Sequence, residues 1–145
     1  MIEREKTDSL VIHCSATPAD MDIGVDKIRE WHVDDNGWED VGYHYVIQRD
    51  GTLEPARDEM MQGAHAVKAN HRSIGICLIG GSDAAGNWEN NFEPAQFTSL
   101  KALILNLQNK YTIQYIIGHN EIEERKECPS FNVQEWLEQA NIDVV

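Results

Sequence analysis

The chain has 145 residues, of which 41% are hydrophobic, and this size and composition suit one packed domain. Its formal net charge of −13 argues against direct binding of nucleic acid or anionic lipid, since phosphate groups are bound by clustered Lys and Arg. The apolar runs are too short to cross a bilayer and the N-terminus lacks a signal-peptide pattern, so we expect no membrane insertion and synthesis in the cytoplasm.

Apolar periodicity predicts three elements in the first 50 residues: a buried strand at 9–17, a helix at 24–33 and a strand at 41–48. The dipeptide Asp50-Gly51 then predicts a hairpin turn, because glycine tolerates positive φ. Residues 52–56 would form the short return strand. An antiparallel pair is therefore expected at this point of the sheet.

After an irregular stretch, the second half continues with four elements: a central strand at 73–80, a helix from Pro94 to about Lys110, a strand at 114–119 and a last helix after Asn132. Asn132 with Glu135 three positions later is a plausible capping arrangement for that helix. Strands and helices alternate along the chain. The pattern predicts an α/β fold, a single domain in which a central mixed β-sheet is flanked by helices.

Three residues have the chemistry of a metal site. His13 and His119 lie near the carboxyl ends of two predicted strands, where α/β sheets bind their ligands. Cys128 follows in a loop, before a proline. Each residue alone is more often a core residue, but imidazole and thiolate together are ligands that zinc prefers. Three protein ligands with an open fourth position are typical of a catalytic zinc site.

Four further residues are candidates around this site. Lys126, two positions before Cys128, would add a cation, although on spacing alone it is more often a solvated lysine. Tyr43 and His44 are neighbours on a strand, so only one of them can face the site, and the pattern does not decide which. His65 lies among small residues and is as well explained as an ordinary loop histidine.

The remaining histidines and cysteines have simpler explanations. Cys14 and Cys77 lie inside predicted strands and are expected in the core. His32 and His71 are expected to be structural or at the surface. Three scattered cysteines do not form a disulfide framework, so the thiol of Cys128 is free to bind metal.

Eight segments follow one another in order over about residues 7–137: VIHCSAT, IREWH, GWEDVGYHYVIQRDGTLEPARDEM, GAHA, NHRSIGICLIGG, FEPAQFTSL, GHNEI and KECPSF. Together they resemble the zinc-dependent N-acetylmuramoyl-L-alanine amidases of type 2, a family that includes phage endolysins and shares its domain with peptidoglycan recognition proteins. No single segment would be specific for the family, but the number of segments and their order are.

The resemblance implies cleavage of the amide between N-acetylmuramic acid and L-alanine of peptidoglycan, with one Zn²⁺ per chain in a groove at the strand ends. It implies the following site residues: the zinc ligands His13, His119 and Cys128, the catalytic residues Tyr43 and Lys126, and the groove-lining, substrate-binding His65. Residues 1–145 would form one amidase domain without a separate wall-binding domain. The enzyme is expected to be a monomer that acts on the cell wall after release from the host cytoplasm.

Two departures from the small coliphage members concern the loop and the tail. The stretch between His119 and Cys128 is one residue longer, with Glu123, Glu124 and Arg125 where those relatives have a proline-containing turn. The N-terminal tail is slightly shorter. In those relatives the tail inhibits the phage's RNA polymerase, so the resemblance leaves an RNA polymerase partner open.

Two other functions remain open from the sequence. Some relatives bind peptidoglycan without cleaving it, and these typically lack the cysteine ligand, so Cys128 favours an enzyme. A cysteine hydrolase using Cys14 or Cys128 would need a nearby base to activate the thiol. Chelator-sensitive release of new amino termini from the cell wall would distinguish a zinc amidase from both of these alternatives.

Overall fold

One five-stranded sheet organises residues 1–144, the part of the chain that the computed structural model describes. Its strands are β1 (Ser9–Cys14), β2 (Tyr45–Ile47), β3 (Leu53–Pro55), β4 (Ser73–Leu78) and β5 (Tyr115–Gly118). They lie side by side in the order β3-β2-β4-β1-β5. Among the strand pairs of the described residues, only β2 and β3 are antiparallel. The mixed sheet predicted from the sequence is confirmed.

In the part of the chain that the structure describes, three α-helices flank the sheet: α1 (Val25–Arg29), α2 (Pro94–Lys110) and α3 (Val133–Gln139). The bounds of α2 agree with the prediction, and Asn132 caps α3 by accepting a hydrogen bond from the Glu135 N–H at 3.0 Å. The first helix differs, because after Arg29 it widens into a π-helical segment, Glu30–Asp35. None of the helices within residues 1–144 combines the length and the apolar character needed to cross a membrane.

The strands are shorter than predicted where the backbone leaves the extended conformation. β1 ends at Cys14 because Ala16 adopts a left-handed φ of 57°. β4 ends at Leu78, shortly before Gly80 and Gly81, whose φ values of 134° and 99° also lie in the region that favours glycine. Likewise, β5 stops at Gly118 and His119 begins a 3₁₀ turn. These early ends turn the chain away from the sheet at the edge that holds the functional residues.

The sheet is covered by apolar side chains on both faces. On one face, β1 and β4 contribute Leu10, Ile12, Ile74 and Ile76, which pack with buried residues of α2 and α3. On the other face, α1 contributes Val25 and Ile28, which pack with residues of β2 and β4. The central parallel strands are therefore buried on both sides, which makes their ends a rigid support.

The starts of β1 and β4 are held together by an ion pair between Asp8 and Arg72. Arg72 donates to the Asp8 carboxylate from Nε at 2.8 Å and from Nη2 at 2.6 Å. These hydrogen bonds lower the pKa of Asp8 to about 2. The bidentate geometry explains why the charged carboxylate is favoured although Asp8 is largely shielded from solvent.

Acid should therefore weaken the fold through Asp8. Because the folded pKa lies below the unfolded value of about 3.9, the stabilisation is complete above about pH 4 and is lost as the pH falls through about 2. We expect Asp8→Asn to lower the free energy of unfolding by about 1–2 kcal/mol at neutral pH. Urea denaturation of both proteins at several pH values measures this difference in the free energy of unfolding. A difference between wild type and variant that did not shrink in acid would contradict the assignment.

Candidate metal centre

The sheet topology brings the carboxyl ends of β1 and β5 side by side. His13 is the fifth residue of β1, His119 follows directly after β5, and Cys128 lies in the loop that leads to α3. One potential ligand atom from each of these buried residues lies within 4.8 Å of the other two. The structure thus brings together the three residues that the sequence singled out.

Cys128 lies against the backbone at the end of β1. Its Sγ accepts a hydrogen bond from the Cys14 N–H at 3.1 Å and lies 3.8 Å from Nδ1 of His13. The neighbouring Cys14 side chain and burial raise the pKa of the Cys128 thiol well above its ordinary value. A bound divalent cation would reverse this preference, because a coordinating thiol loses its proton.

His119 has an imidazole nitrogen without a hydrogen-bond partner. Its Nε2 is the only buried side-chain nitrogen or oxygen in this condition among the described residues. Glu123 Oε2 lies 3.5 Å away, but the geometry does not form a hydrogen bond. Burial lowers the pKa of His119, which favours the neutral ring that a metal requires. An orphaned buried nitrogen beside a second imidazole and a thiol fits a zinc site.

His13 is held from behind by a second histidine. Its Nε2 lies 2.8 Å from Nδ1 of His65, and Nε2 of His65 lies 3.3 Å from the Ser73 hydroxyl. Burial lowers the pKa of His13 and of His65 well below the ordinary value. Both rings are therefore neutral at neutral pH. His65 is close to the cluster, but both of its ring nitrogens are engaged inside the protein.

Tyr43 faces the cluster and His44 faces away from it. The Tyr43 ring centroid lies 5.1 Å from that of His13, and burial raises the pKa of the phenol, which stays protonated. His44 instead accepts from the Gly75 N–H at 3.0 Å through Nδ1 and contacts the Met61 carbonyl at 2.7 Å through Nε2. This opposite orientation follows from the alternation of side chains along an extended chain.

An open cavity of about 330 Å³ lies directly beside the cluster. Its lining includes His119, His65, Lys126, Glu123, Trp38 and Val67. The exposed Lys126 therefore borders the same space as His119. Trp38 and Val67, which are 40% and 84% exposed, were not singled out from the sequence. No local pattern marks them, because the cavity is formed by three loops that are distant in the sequence.

Three of the residues expected to be structural have such roles. Cys77 is fully buried in the core beside α1, and Cys14 is buried behind Cys128. His32 accepts a hydrogen bond from the Gly42 N–H at 2.9 Å and packs against the Trp38 ring. Since the three cysteines are free thiols, the structure agrees with the absence of a disulfide framework.

Comparison with known proteins shows similarity over almost the whole chain. The family described as N-acetylmuramoyl-L-alanine amidase matches residues 3–131. The endolysin of Escherichia phage T7 is 48% identical over 140 residues, which cover 97% of this chain and 91% of that protein. Peptidoglycan-recognition protein SC2 of Drosophila melanogaster is 33% identical over 87% of this chain and 65% of its own length. The solved structure of the N-acetylmuramoyl-L-alanine amidase LysC from Clostridium intestinale URNW has a TM-score of 0.78 and 32% identity, covering 94% of this chain and 87% of that one.

Proposed function

Since the chain belongs to the N-acetylmuramoyl-L-alanine amidase family and is a peptidoglycan amidase, we propose that one zinc ion held by His13, His119 and Cys128 serves its reaction. The observation that carries this proposal is the convergence of two imidazoles and one thiol within 4.8 Å. The orphaned Nε2 of His119 supports it as well. Bound zinc would supply a hydroxide near neutral pH and a Lewis acid for the amide carbonyl.

The protein's own groups would stabilise the charge that develops on the carbonyl oxygen. Tyr43 stays protonated beside His13 and can donate a hydrogen bond. Lys126 borders the cavity beside His119 and supplies a cation. Preorganised donors of this kind are typically worth about 3–4 kcal/mol each. We propose both as catalytic residues and the cavity beside His119 as the binding site of the scissile muramoyl-peptide, with His65 among its lining residues.

The presence of the thiol separates this proposal from a binding module. A site built only to hold peptidoglycan needs no converging metal ligands, whereas Cys128 completes the donor set of a catalytic zinc site. We further propose an endolysin role, in which the protein is made in the host cytoplasm and acts on the wall after release, as the names of its phage relatives suggest. The polymerase partner and the monomeric state stay predictions.

The decisive experiment measures zinc content and wall cleavage on the same protein. We expect about one zinc per chain and the release of new amino termini from purified peptidoglycan, as muramoyl–alanine bonds are cut. A chelator should stop the release and added zinc should restore it. Cleavage that resists chelation but is blocked by iodoacetamide would instead indicate a cysteine hydrolase, and wall binding without cleavage a recognition module.

A further inference from the structure

A continuous line of hydrogen bonds leads from the backbone of the irregular segment before β4 to the metal cluster. Ser73 Oγ donates to the Ala69 carbonyl at 2.6 Å and lies 3.3 Å from Nε2 of His65. Nδ1 of His65 lies 2.8 Å from Nε2 of His13. Nδ1 of His13 then faces Cys128 Sγ at 3.8 Å. The line ends at the proposed ligand.

The positions of the protons along this line follow from counting donors. A serine hydroxyl has one hydrogen, and Ser73 uses it on the Ala69 carbonyl. Ser73 can therefore only accept from His65, so the Nε2 of His65 carries a hydrogen. A neutral His65 then has an unprotonated Nδ1, which must accept a hydrogen bond from Nε2–H of His13. Since a neutral His13 carries only this one ring hydrogen, its own Nδ1 is unprotonated as well.

The rings of His13 and His65 are neutral because they are buried without a counter-ion. His13 is 1% exposed and His65 9% exposed, and among the hydrogen bonds of the described residues neither ring has a carboxylate partner. A charged imidazolium without a counter-ion would pay a large desolvation cost at this depth.

We propose that Ser73 and His65 fix His13 in the tautomer whose unprotonated Nδ1 points to Cys128. His65 is then a positioning residue for the metal ligand His13. This inference rests on the proposed function, because it assigns the tautomer that a metal requires. A ligating histidine is generally held in this way through its second nitrogen. It also explains why a histidine beside the substrate cavity has neither nitrogen free.

The surrounding backbone is shaped around the His65 ring. A Cβ on Gly75, at the centre of β4, would lie 2.6 Å from Cγ of His65, and one on Gly63 would lie 2.6 Å from its Cδ2. Only residues without a side chain leave room for the ring at both places. Asn70 Oδ1 also accepts a hydrogen bond from the backbone N–H of His65 at 3.0 Å, which fixes the main chain at this residue. The ring is therefore held in one orientation toward His13.

NMR on the zinc-loaded, full-length protein with ¹⁵N-labelled histidine tests the tautomers without any substitution. We expect slowly exchanging ring protons on Nε2 of His13 and on Nε2 of His65, with the former coupled across its hydrogen bond to Nδ1 of His65. A proton found on Nδ1 of His65 would overturn the proposal. This measurement decides the question even if a substitution at His65 disturbs folding.

Zinc affinity, measured by competition with a chromophoric chelator, gives a second test. We expect His65→Leu to bind zinc about 10–100-fold more weakly. His65→Asn, whose amide can place an oxygen near the Nδ1 position, should recover part of that loss, and Ser73→Ala should lose less than His65→Leu. The matched control is His71→Leu. Among the described contacts His71 has none with the cluster, so this variant should bind zinc as tightly as the wild type does.

The outcomes separate this inference from the proposed function. If the wild-type protein binds no zinc, the proposed function fails. If it binds zinc and His65→Leu binds equally tightly, only the positioning role fails. Loss of affinity in His65→Leu with no recovery in His65→Asn, together with a proton on Nδ1 of His65, would show that the ring merely fills space.

Discussion

Replacing Cys128 with serine is expected to remove zinc and amide cleavage together. A serine hydroxyl is a poor zinc ligand, because it holds its proton at neutral pH and lacks the soft sulfur that zinc prefers. The variant would keep only two imidazole ligands, from His13 and His119. Loss of the bound cation removes several kcal/mol of transition-state stabilisation, so we expect activity to fall by about 1,000-fold or more.

The measurement combines metal analysis with the release of amino termini from purified peptidoglycan. Cys77→Ala is the matched control, since this thiol is also fully buried but lies in the core beside α1. It should cost some stability and leave zinc content unchanged. A fully metallated and active Cys128→Ser protein would show that the sulfur is not a ligand and would remove the basis of the proposed zinc chemistry.

Removing the hydroxyl of Tyr43 is expected to cut turnover while zinc stays bound. Tyr43→Phe keeps the ring that packs 5.1 Å from His13 and deletes only the donor. Loss of one preorganised donor typically lowers turnover by about 100–1,000-fold. The expected signature is a lower kcat at unchanged zinc stoichiometry. Tyr115→Phe, on the exposed edge of β5, is the matched control and should cleave at the wild-type rate.

Lys126→Ala provides the companion measurement, because the lysine would stabilise the same developing charge from the cavity side. We expect a loss of similar size, again with zinc retained. Lys27→Ala, on helix α1 and not among the residues that line the cavity, controls for the removal of one positive charge from an acidic protein. A near-wild-type rate in either Tyr43→Phe or Lys126→Ala would rule out a catalytic role for that residue.

Local patterns were sufficient for most of the fold. The apolar runs of β1 and β4 and the helical spacing of α2 predicted these elements, since buried strands and amphipathic helices bury apolar residues at fixed intervals. Element ends were less predictable. The strand expected at 41–48 is regular only over Tyr45–Ile47, because Gly42 instead exchanges hydrogen bonds with the segment around Ala64 and with His32.

The order of amino acids was enough to predict the chemistry of the site: two histidines at strand ends and a loop cysteine, whose donor types indicate zinc, together with a family pattern that indicates peptidoglycan. The arrangement of the site residues in space could not be predicted from their spacing in the sequence. The folded chain orients Tyr43 toward the cluster, a choice over His44 that the strand pattern left open and only the family resemblance had favoured. It also places Lys126 beside the cavity and links Ser73 and His65 to His13. Donor types belong to single residues, whereas hydrogen bonds and cavities depend on distances of about 3 Å between segments that only the packed sheet brings together.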